Sequence, residues 1–236
     1  MHYKTALITG GTKGIGLGIA KLLLQAGIKV AITGRNSIQV NEVVTKLSKD
    51  YGVQNVIGGV NDVKDFQGLE KLVANIVEKW GGLHILVANA GVGHFAPIDS
   101  MSHQQWNETI DTNLTGVFNS VKACIPFLKS SKGYIFTIAS LAGTNFFAKG
   151  AAYNASKFGL VGFSQAIMLD LRPYNVKVTT IMPGSVKSYF AGHNPSEQDD
   201  DWKIQPEDMG QLIVDLLKMH PRSLPSKIEI RPTRPK

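Results

Sequence analysis

The sequence is short of several things, and each shortage removes a class of protein. Its 236 residues include one cysteine, Cys124, so an internal disulfide framework is excluded. Cys124 lies in an apolar helical stretch, which suits a buried thiol and a cytoplasmic setting. No apolar run reaches the roughly 18 residues that a membrane-spanning helix needs. Met1-His2-Tyr3-Lys4 leads straight into an apolar strand pattern without a small-residue cleavage site, so no signal peptide is expected. The six histidines form no His-x-x-x-His pair and no Cys/His cluster, and no metal site is expected. Basic residues are scattered rather than gathered with aromatics into a tract, which argues against a nucleic-acid partner. There is no linker and no repeat.

What remains is an ordinary globular balance, 43% apolar and 18% charged. The length suits a single domain over residues 1–236. The net charge of +7 suits an anionic ligand or partner, such as a phosphorylated cofactor or an acidic carrier protein, although solubility alone also accounts for it.

Strand-like and helix-like segments alternate throughout. Apolar runs fall at 5–9, 28–33, 53–60, 83–88, 134–139, 176–182 and 227–230. Helical spacing appears at 14–26, 38–51, 66–80, 102–129, 150–171 and from Pro206 onward. Ser102 and Gln105 make a capping box for the fourth of these helices. Strands apolar on both faces and separated by helices predict a parallel sheet covered on both sides, in the α/β class. The stretch 184–205 is loop-rich, and its acidic run Glu197–Asp201 reads as a solvated loop.

Residues 9–16, Thr-Gly-Gly-Thr-Lys-Gly-Ile-Gly, follow the first strand and open the first helix. Glycines there let the backbone turn tightly and approach a pyrophosphate, and the helix N-terminus offers free amide donors. The context points to a dinucleotide rather than a plain turn. The second strand ends Thr33-Gly34-Arg35-Asn36. NAD binders hold a ribose hydroxyl with a carboxylate near this point, but here Gly34 and Arg35 stand instead. A guanidinium suits a 2′-phosphate, and Lys13 could add a second cation, so NADP(H) is expected over NAD(H).

In order, the chain carries Thr9-Gly10-x-x-x-Gly14-Ile15-Gly16, Asp62-Val63, Asn89-Ala90-Gly91, Asn113, Ser140, Tyr153-x-x-x-Lys157 and Pro183-Gly184. On these motifs it resembles the short-chain dehydrogenase/reductases over nearly its whole length. The resemblance implies one Rossmann-type, doubly wound domain with seven strands in the order 3-2-1-4-5-6-7. It implies cofactor contacts from Gly10, Thr12, Lys13, Gly14, Ile15, Gly16, Arg35, Asp62, Val63, Asn89, Ala90, Gly91, Tyr153, Lys157, Pro183, Gly184, Val186 and Ser188, with Lys157 holding the ribose. Asp62 and Val63 would hold the adenine, Asn89 would steady the sheet, and Val186 and Ser188 would meet the nicotinamide end. Asn113, Ser140, Tyr153 and Lys157 would form a catalytic tetrad, with Asn113 holding a water that links Lys157 to solvent.

The chemistry follows from the residues. Tyr153 and Lys157 are one helical turn apart and share a face. A cation about 4 Å from a phenol, at an effective dielectric near 20, favours the phenolate by about 4 kcal/mol. That would bring the phenol from about 10 toward 7, where a general acid works best. Ser140, at a strand's carboxyl end, is placed to hydrogen-bond a carbonyl oxygen. The expected step is reduction of a ketone, with Tyr153 giving the proton.

Within the family, the chain is most similar to the 3-oxoacyl-[acyl-carrier-protein] reductases, enzymes of fatty acid biosynthesis. An acidic carrier would then be a partner, with Lys129, Lys132 and Arg172 as candidate contacts. Another small carbonyl compound or sugar, and a non-catalytic NADP(H)-sensing role, are the alternatives. The resemblance implies a homodimer or homotetramer. The tail from Ile228 to Lys236 lacks the glycine-rich ending of those reductases, and 184–205 is short for a substrate lid.

Overall fold

The computed structural model describes residues 2–195 and 200–234. Seven strands form one parallel sheet in the order β3-β2-β1-β4-β5-β6-β7. They are β1 (Thr5–Ile8), β2 (Lys29–Gly34), β3 (Val56–Val60), β4 (Ile85–Ala88), β5 (Tyr134–Ile138), β6 (Lys177–Pro183) and β7 (Lys227–Ile230). The helices between them are α1 (Gly14–Gln25), α2 (Ser37–Tyr51), α3 (Phe66–Trp80), α4 (His103–Ile110), α5 (Gly116–Ser131), α6 (Ala151–Leu171) and α7 (Pro206–Lys218).

Successive strand residues point to opposite faces, so each strand feeds two cores. Ile8, Val30, Ile32 and Val87 pack on one face with Ile19 and Leu23 of α1 and Met209 and Ile213 of α7. Leu7, Ala31, Leu86 and Ile135 pack on the other with α3, α5 and α6. Cys124 is in this second layer, where burial pushes its thiol pKa up. The order reverses between β1 and β4, so their crossovers leave in opposite directions and a crevice opens at the carboxyl ends. Among the described residues, no helix is long and apolar enough to cross a membrane.

Three sequence expectations change. Residues 53–55 form a tight helical turn rather than the start of a strand, after Gly52 at φ 93°. The helix expected over 102–129 begins at its capping box, but a wider π-helical turn, Asp111–Thr115, divides it. The acidic run is not simply solvated. Its residues 197–199 lie outside the described residues, whereas Asp200 is buried and paired with Lys203 and with His193, 2.8 Å away. Residues 235–236 of the tail also lie outside the described residues.

Candidate active site

The site begins at the end of β1. Thr9 Oγ1 accepts hydrogen bonds from the backbone of Asn89 (3.0 Å) and Ala90 (3.1 Å). Asn89 returns its side-chain amide to the carbonyls of Thr9 (2.9 Å) and Gly10 (3.0 Å). The glycine turn is thus held from the β4 side. Gly14 is left-handed, at φ 53°, and leads directly into α1. A Cβ on Gly16 would lie 2.3 Å from the Gly10 carbonyl oxygen, so the turn and the helix start are in direct backbone contact.

The turn forms one wall of a cleft of about 800 Å³, within the ~300–1,000 Å³ typical of small-molecule sites. Gly10, Thr12, Lys13, Gly14 and Ile15 line it, with Arg35 from the end of β2 and Asp62 and Val63 after β3. Asn89, Ala90 and Gly91 line it after β4, and Pro183, Gly184, Val186 and Ser188 at and after β6. Ser140, Tyr153 and Lys157 complete the wall beyond β5. Gly16 and Asn113 stand behind it. The residues fit a dinucleotide: the open N-terminus of α1, free of any side-chain cap, faces a cradle that side chains on the turn would fill.

Position 34 shows something the sequence does not. A Cβ there would be 2.7 Å from Thr12 Cγ2, so the missing carboxylate is also a packing requirement. Arg35 is not alone. Its Nη1 lies 4.0 Å from Asp62 Oδ2 and 3.8 Å from Glu108 Oε1, both loose contacts of a half-exposed head. Glu108 also meets His94 Nε2 at 3.0 Å. Lys13 Nζ lies over the Tyr189 ring, 5.6 Å from its centroid.

The tetrad residues are gathered, but their electrostatics differ from the sequence argument. Lys157 is buried, and its ammonium donates to the Ile138 carbonyl at 2.9 Å. It lies 5.6 Å from the centroid of the Tyr153 ring. Burial pushes the Tyr153 phenol up to about 12, against a hydrogen bond with Ser140 that pulls it down. Burial also lowers Lys157 from 10.5 to about 8. The phenol held near neutrality by its lysine is therefore corrected: desolvation outweighs the hydrogen bond with Ser140, because removing a charge from water disfavours the charged form of both groups. Ser140 Oγ also accepts from the Ala142 N–H at 3.1 Å.

Asn113 is buried in the π-helical turn, a device common at functional sites. Its Oδ1 accepts from the Val92 N–H (2.8 Å), and its Nδ2 donates to the Val92 carbonyl (2.9 Å) and to Ser156 Oγ (3.1 Å). The side chain fixes the segment beyond Gly91 against α6, with both of its amide hydrogens used.

Sequence reasoning missed Glu108, Asn154, Phe190 and His193. Asn154 is buried and donates to the carbonyls of Ala142 and Asn145, both at 2.8 Å. The Tyr189-Phe190 pair, set in a polar loop, was the one available signal for the loop. The candidate carrier contacts lie elsewhere. Lys129 and Lys132 end α5 and Arg172 follows α6, at the amino ends of the strands, about 16 Å of strand away from the cleft.

With the geometry in hand, comparison with known proteins identifies the class. Residues 4–199 match the family described as short chain dehydrogenase, and the chain belongs to that family of oxidoreductases. It is 34% identical over 189 residues to the trans-4-hydroxycyclohexanecarboxylate dehydrogenase of Sinomonas cyclohexanicum, covering 78% of this chain and 73% of that protein. Among solved structures it resembles an alcohol dehydrogenase of the archaeon Thermococcus sibiricus complexed with 5-hydroxy-NADP, at TM-score 0.92 and 26% identity over 99% of both chains. It also resembles a 3-ketoacyl-ACP reductase of Sinorhizobium meliloti 1021, at TM-score 0.86 and 30% identity, covering 96% of this chain and 97% of the other.

Proposed function

We propose that the protein is an NADP(H)-dependent carbonyl reductase that converts a ketone to an alcohol, with Tyr153 as the proton donor. One observation carries the reading: Ser140, Tyr153 and Lys157 open into the same cleft as the glycine turn. The turn and the start of α1 would hold the pyrophosphate, Asp62 and Val63 the adenine, and Arg35 with Lys13 a 2′-phosphate. The complex of the Thermococcus protein with 5-hydroxy-NADP supports the cofactor class. The nicotinamide, when bound, supplies the hydride.

The chain's own groups manage the proton and the oxygen. With its phenol raised to about 12, Tyr153 is protonated at neutral pH. It is still more acidic than water at ~15.7, so proton transfer to a developing alkoxide runs downhill. The resting protonation state favours reduction over oxidation. Lys157, at about 8, keeps its proton in most molecules at neutral pH and sets a cation beside the phenol as charge develops. Ser140 offers a hydroxyl to the same oxygen.

A 3-oxoacyl group on an acidic carrier protein as substrate is supported by the likeness to the 3-ketoacyl-ACP reductase of Sinorhizobium meliloti. The likeness to the Sinomonas trans-4-hydroxycyclohexanecarboxylate dehydrogenase supports a cyclic substrate instead. A homodimer or homotetramer and a cytoplasmic setting remain parts of the proposal. The test is consumption of NADPH and NADH across ketones, cyclic ketones and acetoacetyl thioesters. Turnover with NADPH supports the reading. NADPH binding without turnover of any carbonyl would favour a nucleotide-sensing role.

A further inference from the structure

We infer that the substrate's carbonyl group is borne on an aromatic molecule, whose ring is received by Phe95, Phe147 and Phe190; this rests on the reductase reading above. Tyr153 does not stand alone in its cleft. Its ring centroid is 5.5 Å from that of Phe95, at 75°, and 5.4 Å from that of Phe190, at 55°. Phe95 is in turn 5.7 Å from Phe147, at 61°, and 6.3 Å from Phe190, at 64°.

The three phenylalanines come from three separate segments, after β4, after β5 and after β6. Each is held in place. The first two segments are joined by the Ala96 N–H donating to the Lys149 carbonyl at 3.0 Å. The Phe147 N–H donates to Asn154 Oδ1 at 3.4 Å, and Asn154 is anchored on α6 and bonded to Ala142 and Asn145. Phe190 is pressed onto Gly93, where a Cβ would lie 2.5 Å from its ring. The residue after it, Ala191, takes the left-handed φ of 53°, which alanine rarely adopts.

Such placement leaves apolar surface unspent. Phe95 and Phe147 remain 43% and 47% exposed, packed behind Tyr153 and Phe190, which line the cleft. Clustered exposed apolar surface beside a catalytic group marks a ligand-binding groove. The rings meet at steep angles and so present both edges and faces to a newcomer. A further ring completes edge-to-face contacts, which a saturated group of equal size cannot do. That difference is worth up to roughly tenfold in binding.

The test compares phenylacetone with cyclohexylacetone, whose ketones are both insulated from the ring by a methylene and so have similar intrinsic reactivity. With wild-type enzyme and NADPH, kcat/KM is expected to favour phenylacetone by up to roughly tenfold. Phe190→Leu and Phe95→Leu should each bring the ratio toward one, while an NADPH titration shows that both variants still fold and bind cofactor. Equal or reversed preference in the wild type, a ratio that survives both substitutions, or better turnover of an acetoacetyl thioester would overturn the inference and leave the reductase reading standing. NADPH binding with no ketone turned over would overturn both.

Discussion

Lys157→Met should make the folded protein more stable and the enzyme inactive. Lys157 is buried, and burial holds its pKa at about 8 instead of 10.5. At about 1.4 kcal/mol per pH unit, the folded state carries a penalty of about 3 kcal/mol for keeping that ammonium out of water. The sign is fixed by which state loses the proton first. Below about 8 both folded and unfolded chains are charged, and the penalty is complete. Between about 8 and 10.5 the unfolded chain binds more protons than the folded one, so wild-type stability rises with pH. Methionine of similar length removes the charge, at the loss of the charge-assisted hydrogen bond to Ile138, itself worth about 1.5 kcal/mol. The net gain near neutrality is about 1.5 kcal/mol, or ~3–6 °C in Tm for a chain of this size. Thermal melts of both proteins at about pH 7 and about pH 10 measure it, and the gain should shrink at the higher pH as the wild type sheds its own penalty. A variant less stable near neutrality, or a gain equal at both pH values, would refute the reasoning.

Two further perturbations probe the cofactor half of the cleft. Arg35→Ala should weaken NADPH by about tenfold or more relative to NADH, the weight of a charge-assisted contact to phosphate; parallel Kd measurements check this, and an unchanged ratio removes Arg35 from the specificity argument. Gly16→Ala would drive a methyl group to 2.3 Å from the Gly10 oxygen and 2.6 Å from Asn89 Nδ2. NADPH affinity should collapse and Tm should fall, whereas wild-type values for both would show that the turn tolerates the added volume.

The alternation of apolar strands with amphipathic helices was legible in the sequence, because both periodicities are local. So was the site's location, since Gly10, Ser140 and Pro183 all stand at strand ends that a parallel sheet brings to one edge. The π-helical turn around Asn113 was not legible: an extra residue in a helix leaves the spacing on either side almost unchanged. The raised phenol of Tyr153 was missed for a different reason. Spacing told how near Lys157 is along the helix, but the balance was decided by water removed by segments distant in sequence. Glu108 meets Arg35 from a helix whose local sequence carries no cofactor motif, and Phe190 lines the cleft with only its aromatic pair as a signal. Asp200 shows the same gap in reverse, an acidic run that reads as solvated yet holds a buried carboxylate.

The most direct measurement is NADPH consumption with a reducible ketone by wild-type protein and by Tyr153→Phe, at matched cofactor occupancy. Loss of the proton donor should lower kcat by roughly 10²–10⁴-fold while NADPH still binds. A phenylalanine variant that reduces the ketone at the wild-type rate would contradict the account at its centre.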